Sequence, residues 1–216
     1  MTRLLDLFCG AGGASMGYSR AGFEVVGVDY KPQPRYPFEF VQADALEFAA
    51  EHGREFDVIH ASPPCQAYSV TRVFRGRQHP DLVASTRATL LAIGRPFVIE
   101  NVMGAPLENP LMLCGTMFGL RVLRHRLFEI HPDPIWFPPA QCHHNGKATG
   151  ATNEPGRTKG FATGHSYITV TGHSYLMADG RAAMGIGWMN RDELSQAIPP
   201  AYTEWLGRRI MEVDGQ

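Results

Sequence analysis

Short apolar runs alternate with segments of helical pattern over the first hundred residues of the chain. Five runs predict buried strands, because each is short and apolar and ends in glycine or polar residues. They read RLLDLFCG, FEVVGVDY, FEFVQAD, EFDVIHAS and PFVIENV. The segments GGASMGYSRAG, ALEFAAEHG and DLVASTRATLLAIG lie between them and predict helices. Alternating strands and helices predict an α/β fold, a parallel sheet with helices on both faces.

A glycine or polar cluster follows each of the five predicted strands. These clusters are Gly10 to Gly13, Asp29, Asp44, Ser62 to Gln66, and Glu100-Asn101. In an open parallel sheet, ligands bind outside the carboxyl ends of the strands. The sequence therefore predicts a ligand site at this edge.

After about residue 130 the chain is rich in proline, glycine and threonine and has no helical periodicity. A tandem octad follows, TGHSYITV and TGHSYLMA, whose alternation predicts two short strands or a hairpin. Helical character resumes at Asn190, a predicted N-cap with Glu193 at the capping-box position. Pro199 and Pro200 interrupt this helix, and a last helix is expected over residues 201–213.

The composition is that of a globular domain with a small appendage: 216 residues, 44% of them hydrophobic. No apolar run approaches the roughly 20 residues that a membrane span needs. The four cysteines form no C-x-x-C pair, so a disulfide framework is not expected. We therefore expect the protein to work in a reducing cytoplasm.

Charge is unevenly distributed although the net charge is only −1. Residues 1–60 hold five basic and nine acidic residues, whereas residues 72–126 hold eight arginines and three acidic residues. This division suggests two ligands, the second anionic. Arginine outnumbers lysine seventeen to three, which suits phosphate and base contacts but also fits a GC-rich coding sequence.

The segment DLFCGAGG follows a strand and opens a helix, so backbone N–H groups face a ligand there. It is neither G-x-G-x-x-G nor a P-loop. Asp29 is placed for ribose hydroxyls and Asp44 for an adenine amino group. A nucleoside site without a triphosphate loop points to S-adenosylmethionine. The alternative is a plain tight turn with surface carboxylates.

The segment SPPCQAYS places Cys65 just beyond a strand, on a path made rigid by Pro63 and Pro64. A thiolate attacks an electron-poor carbon well, and Glu100 on the neighbouring strand would serve as an acid if burial raised its pKa. The alternative is an inert core cysteine.

Two arginines alternate in LRHRLFEI, a predicted strand, so Arg124 and Arg126 are expected on one face. There they would hold a carbonyl oxygen or a phosphate. A solvated surface pair is the alternative.

Together, DLFCGAGG, SPPCQAYS, ENV and RHRLFE occur in the order found in the DNA (cytosine-5) methyltransferases, which this sequence resembles. The resemblance is strong over residues 3 to about 130 and weaker over 184–210, and the chain looks like the compact members found in phages and mobile elements. It implies a Rossmann-like methyltransferase sheet over residues 1–130. A short, loop- and strand-rich target-recognition region would occupy residues 131–183, and helices over 184–216 would return to the catalytic domain.

The resemblance implies methyl transfer to C5 of a cytosine flipped out of duplex DNA. Cys65 would add to C6, Glu100 would protonate or hydrogen-bond N3, and Arg126 would hold O2, with Arg124 nearby. The positions that match the family's cofactor contacts are Phe8, Gly10, Gly12, Asp29, Asp44 and Pro64. The segment after Cys65 would close over DNA, with phosphates near Arg72, Arg75 and Arg77.

The sequence departs from the family in three places. Val122 replaces a glutamine two residues before the first arginine of the R-x-R motif. The late Gly-Asn-Ser/Ala-Val motif is replaced by PPAYTEWLG, where Pro200, Ala201 and Tyr202 are assigned a related role. Only 63 residues separate Arg126 from Asn190, so the target site is short, specificity is relaxed, or an accessory protein takes part.

Cys142, His143 and His144, together with His165 and His173, are potential zinc ligands. Their spacing fits no standard finger, so the sequence favours a solvated polar loop and no metal is expected.

Three functions remain open from the sequence: the DNA methyltransferase, a non-catalytic or partner-dependent DNA- or cofactor-binding protein, and the same chemistry on RNA or a free nucleotide. A restriction-modification system, phage protection and gene regulation are equally compatible settings.

Overall fold

The computed structural model describes residues 1–64, 81–132, 141–144, 166–172 and 175–214. Its centre is a seven-stranded sheet with the order β3-β2-β1-β4-β5-β7-β6. The strands are β1 Arg3–Leu7, β2 Glu24–Asp29, β3 Glu39–Gln42, β4 Val58–Ala61, β5 Phe97–Asn101, β6 Leu111–Leu113 and β7 Arg126–His131. The helices are α1 Gly13–Ala21, α2 Ala45–His52, α3 Val83–Ile93, α4 Met177–Met184, α5 Arg191–Gln196 and α6 Pro200–Asp214.

The first five strands are parallel, as the sequence predicts. The last two are not: β7 runs antiparallel to β5, and β6 runs antiparallel to β7. As a result, the start of β7 and the end of β6 lie at the same edge as the carboxyl ends of β1 to β5. Side chains from all seven strands can therefore contribute to one site.

Alternate residues of each strand enter different cores, because successive side chains point to opposite faces of a sheet. Leu4 packs with Tyr18 of α1 and Tyr202 of α6 on one face. Leu5 packs with Ala49 of α2 and Leu90 of α3 on the other. The prediction of helices on both faces is confirmed.

The tandem octad was predicted to form two short strands or a hairpin, and among its described residues it forms neither. In the first copy, Ile168 forms an isolated parallel bridge with Val122. In the second copy, helix α4 begins at Met177. Burial explains the difference, because Ile168, Val170 and Tyr175 all pack into a third core cluster and are not paired with each other. The octad's two histidines, His165 and His173, lie outside the described residues.

The C-terminal elements follow the sequence closely. Asn190 accepts a hydrogen bond from Glu193 N, and Glu193 Oε2 accepts one from Asn190 N, which completes the predicted capping box. Helix α6 packs along α1, where Thr203 Oγ1 donates to Ala14 O at 2.8 Å. Within the described ranges, no helix is both long and apolar enough to cross a membrane.

The contact between α1 and α6 depends on a small residue at position 17. A Cβ added to Gly17 would clash with Thr203 and with the backbone of Pro200 and Glu204. We predict that Gly17→Ala lowers the free energy of unfolding by about 1–3 kcal/mol, since overpacking forces a backbone shift. Urea unfolding followed by circular dichroism measures this. Gly187→Ala is the control, because a Cβ there meets nothing within 4 Å; equal effects of both substitutions would contradict the packing account.

Candidate active site

A row of buried polar side chains crosses the sheet on the face covered by α1 and α6. Asp6 of β1, His60 of β4 and Glu100 of β5 are 1%, 0% and 5% exposed. Each stands two residues after an apolar residue of the same face, so the alternation of the strands brings all three to one side. They lie toward the carboxyl ends of their strands, where the sequence predicts the ligand site.

The glycine loop after β1 has a backbone that favours glycine. Gly10 and Gly12 have φ of 50° and 82°, and Phe8, at 57°, shares this left-handed region. A Cβ at Gly10 would meet nothing within 4 Å, so the loop backbone faces open space there. A ligand can therefore approach the main chain closely.

Asp29, at the end of β2, ties this loop to the neighbouring strand. Its Oδ2 accepts from Gly10 N at 3.1 Å and its Oδ1 accepts from Lys31 N at 3.0 Å. An ionised carboxylate can accept about four hydrogen bonds, so capacity remains for a ligand.

Asp44 also stabilises a helix, a role that was not predicted from the sequence. It is the N-cap of α2, and its Oδ1 accepts hydrogen bonds from Leu46 N and Glu47 N. Its side chain is exposed beyond β3, on the ligand edge of the sheet. Because both cap bonds use Oδ1, Oδ2 can face a ligand.

Residues that precede helix α6 pack against the glycine loop and the start of α1. The Trp188 indole donates to Ala11 O at 2.9 Å. A Cβ added to Gly13 would lie 2.6 Å from Ile198 O, which shows how closely this segment approaches the start of α1. Trp188 carried no signal in the sequence, since its contact is made across 177 positions of chain. Tyr202, expected near the cofactor, instead donates to Arg124 O at 2.6 Å.

The buried Glu100 and the partly buried Arg126 form an ion pair, with 3.0 Å between Arg126 Nε and Glu100 Oε1. Burial raises the pKa of Glu100, while the charge of Arg126, a hydrogen bond from Ser62 and the charge of Arg124 lower it. The net effect is an increase, so Glu100 holds a proton more readily than a carboxyl in water.

A chain of hydrogen bonds leads into Glu100 from the core. Burial lowers the pKa of His60 to about 3, so its imidazole is neutral and has one N–H. Since Ser62 stabilises the ionised Glu100, its hydroxyl donates to that carboxylate. Ser62 Oγ then accepts from His60 Nε2 at 2.9 Å, and Tyr18 OH donates to His60 Nδ1 at 3.0 Å. The chain fixes the tautomer of His60 and the orientation of Ser62.

Asn101 positions the segment that leads to Cys65. It is 1% exposed, and its Nδ2 donates to Pro63 O at 2.9 Å while its Oδ1 accepts from Val102 N. Because β4 and β5 are neighbours, the last residue of β5 reaches the loop that follows β4. The Glu-Asn pair thus has two functions: the glutamate belongs to the site and the asparagine holds the proline loop.

Arg124 has a different environment from Arg126. Strand β7 begins at Arg126, so Arg124 precedes the strand and does not alternate along it as expected. Arg124 is 4% exposed, and its guanidinium donates to Val170 O at 2.9 Å and to Ser195 O at 2.8 Å. These bonds tie the segment around residue 170 to α5 and to the sheet. These contacts give Arg124 a positioning role, and its contact with substrate stays a prediction.

Four predicted site residues, Cys65, Arg72, Arg75 and Arg77, lie outside the described residues. The described stretch that precedes them ends at Pro64, which is partly buried beside the site. Cys9 is no competing nucleophile, because burial raises the pKa of its thiol far above the usual range.

The strand order, with an antiparallel seventh strand, is that of a Rossmann-like methyltransferase fold. A crystal structure described as a DNA modification methyltransferase encoded within an E. coli prophage superposes with a TM-score of 0.66. It covers 100% of both chains at 15% sequence identity, which supports the fold alone.

Residues 2–106, just under half of the chain, match the family model of C-5 cytosine-specific DNA methylases. Type II methyltransferase M.FnuDI of Fusobacterium nucleatum is 34% identical over 85 residues, which are 36% of this chain and 25% of that protein. M.AplI of Arthrospira platensis is 33% identical over 131 residues, which are 57% of this chain and 38% of that protein. The matched part thus spans less than half the length of these relatives.

Asp6 was not assigned to the site by the sequence analysis. Ser15 donates a hydrogen bond to its Oδ2, and the Tyr36 hydroxyl donates to Ser15 Oγ at 2.8 Å. Among the described residues, no donor reaches Asp6 Oδ1. Burial raises the pKa of Asp6 to about 7, with smaller increases from the nearby carboxylates Asp29 and Glu100.

This pKa predicts a pH dependence of stability that belongs to Asp6. Between about pH 4 and pH 7 the folded state binds a proton that the unfolded state has lost, so stability falls as pH rises. Asp6→Asn removes that term. We expect the free energy of unfolding of the variant, relative to wild type, to increase from pH 4 to pH 7 in urea titrations. Exposed Glu51→Gln is the control for loss of one carboxyl. A pH-independent difference for Asp6→Asn would contradict its neutral, buried state.

Proposed function

We propose that this chain is a DNA (cytosine-5) methyltransferase that acts on a cytosine flipped out of duplex DNA. The observation that carries the proposal is the buried Glu100 at the end of β5, ion-paired with Arg126 and hydrogen-bonded by Ser62. This acid lies on the strand next to β4, whose following loop leads to Cys65. An acid with a raised pKa beside a nucleophile loop suits attack on an electron-poor ring.

The residues of the glycine loop fit S-adenosylmethionine. The open face at Gly10, the carboxylate of Asp29 and the exposed Asp44 offer main-chain groups, a ribose acceptor and an adenine acceptor. Phe8 and Gly12 shape the loop, and Pro64 borders the reacting end. When bound, this cofactor supplies a methyl group on a positively charged sulfur. The matching family segment supports the assignment.

Cytosine C5 is a poor nucleophile, and the site residues would correct this. The thiolate of Cys65 forms a bond to C6, and the electron pair of the C5–C6 bond shifts toward N3. Glu100 donates its proton to N3, so negative charge does not accumulate on the ring. Arg126 holds O2 of the base. After C5 has taken the methyl group, it loses its proton to a base, and the C6–S bond breaks with its electron pair leaving on the Cys65 thiolate. The C5–C6 double bond returns, and N3 gives its proton back to the Glu100 carboxylate.

The duplex would be held by the arginine-rich segment after Cys65. Arg72, Arg75 and Arg77 are suited to phosphate contacts, which make DNA affinity depend on salt. The charge of that segment in the sequence supports this assignment.

The test combines tritium-labelled S-adenosylmethionine, duplex DNA and purified protein, followed by bisulfite sequencing of the product. We expect label at a recurring short motif with wild type and none with Cys65→Ala, while calorimetry shows that the variant still binds the cofactor. Transfer by Cys65→Ala would exclude the covalent mechanism. Methyl transfer to RNA and not to duplex DNA would show that the substrate is RNA, and the covalent mechanism would be kept.

The short region after β7 favours a second form of the same function. Only 63 residues separate Arg126 from Asn190, little for a region that must read several base pairs. If the wild-type chain binds S-adenosylmethionine but labels no DNA, an accessory protein that reads the target becomes the preferred account. Label that appears only on addition of a host extract would support it.

Glu100→Gln tests the acid separately from the nucleophile. An amide keeps the shape but cannot give a proton, so we expect kcat to fall by about 10²–10⁴-fold with DNA binding retained. Glu129→Gln is a matched control, because Glu129 is also 5% exposed and pairs with Arg87 at 2.7 Å on a different part of the sheet. Single-turnover methyl transfer measures both variants. Equal losses of kcat would mean that burial of the ion pair, and not proton donation, explains the effect.

A further inference from the structure

Four potential metal ligands from two parts of the chain meet beside the Glu100–Arg126 pair. They are Cys114, His125, Cys142 and His144, and their ligand atoms all lie within 4.8 Å of one another. Cys114 and His125 belong to the sheet edge. Cys142 and His144 belong to the region between β7 and the C-terminal helices.

The sheet register explains why the first two ligands are neighbours. Leu113 at the end of β6 pairs with Arg126 at the start of β7 in an antiparallel ladder. The next residue outward on each strand is therefore Cys114 on one and His125 on the other. His125 also stands directly before Arg126 in the chain, so this cluster adjoins the proposed base-binding arginine.

Residues 141–144 are held over this pair by a threonine. Thr116 Oγ1 accepts a hydrogen bond from His143 N at 3.3 Å and lies 3.7 Å from Cys142 Sγ. The backbone contact orients the segment so that Cys142 and His144, two residues apart, both turn toward Cys114.

The separations suit a tetrahedral ion. Cys114 Sγ lies 3.4 Å from His144 Nε2, and His125 Nε2 lies 3.4 Å from Cys142 Sγ. With Zn–S near 2.3 Å and Zn–N near 2.0–2.1 Å, tetrahedral angles place sulfur and nitrogen about 3.6 Å apart. Cys142 Sγ and His144 Nε2 are closer, at 2.6 Å, and an ion between them would widen this distance.

We propose that these four side chains bind a structural zinc ion. Two thiolates and two imidazoles are a ligand set that favours zinc over magnesium or calcium, which prefer oxygen. Four protein ligands leave no open position, which is the pattern of a structural site. On binding, the two thiol protons pass to solvent and both histidines coordinate through Nε2 as neutral rings. Cys114 is buried whereas His144 is exposed, so the ion has a route of entry.

This inference replaces the expectation that the chain holds no metal. The spacing of the ligands, ten residues, then sixteen, then one, matches no standard finger, which is why the sequence pattern favoured a polar loop. Cys142 and His144 were among the residues considered, but Cys114 and His125 become partners only through the β6–β7 register. The zinc ion would fasten the short target-recognition region to the catalytic sheet next to Arg126.

The test is metal analysis of the full chain, without DNA or cofactor, so that it is independent of methyl transfer. Wild type is loaded with Zn²⁺ under reducing conditions, dialysed and analysed by inductively coupled plasma mass spectrometry. We expect about one equivalent of zinc per chain. His144→Ala and Cys142→Ser should lose it, whereas His143→Ala should keep it, because His143 contributes its backbone N–H and not its ring.

Cobalt substitution supplies a second readout that a folding defect would not imitate. Tetrahedral Co²⁺ bound by two thiolates gives intense ligand-field and sulfur-to-metal charge-transfer bands, and we expect them in wild type and His143→Ala. Circular dichroism confirms that each variant is folded. The proposal would be overturned if folded wild type retained no more zinc than His144→Ala, or if its Co²⁺ form lacked the thiolate bands.

Discussion

The site depends on an ion pair taken out of water. Burying Glu100 is unfavourable by itself, and Arg126 with the Ser62 hydroxyl offset that cost without cancelling it, so the pKa of Glu100 stays raised. Because its pKa stays raised, this carboxyl holds a proton more readily than a carboxyl in water. The rest of the sheet supports it: Tyr18 and His60 fix Ser62, and the antiparallel β7 brings Arg126 to the carboxyl edge.

The local pattern of the sequence predicted most of the sheet. The five parallel strands, the helices between them and the Asn190 capping box were confirmed, because short apolar runs and cap residues act over a few positions. The placement of Glu100 beside the loop of the proposed nucleophile followed from the same pattern, since adjacent parallel strands end at one edge. The assignments of Cys65 and its following arginines stay predictions.

What the sequence did not predict depends on contacts between distant segments. The octad was expected to form two short strands or a hairpin, but Ile168 pairs with Val122 and the second copy enters a helix. Arg124 was expected on substrate, and only the fold shows that it holds two main-chain carbonyls. The cluster of two cysteines and two histidines depends on the register of two strands, which the sequence pattern does not give. The raised pKa of Asp6 depends on its burial, whereas in the sequence Asp6 is only one polar residue within an apolar strand.

The central claim is that Cys65 forms a covalent bond to a cytosine that Glu100 has activated. Duplex DNA containing 5-fluorocytosine at the target tests this claim. Fluorine replaces the hydrogen at C5, so there is no C5 proton to remove after methylation and the covalent adduct persists. Mass spectrometry of the denatured, digested complex should show the methylated base attached to the peptide that contains Cys65, in the presence of S-adenosylmethionine. Cys65→Ala should give no adduct. Methylation of ordinary duplex DNA without any adduct on the fluorinated target, or an adduct on another residue, would contradict the account.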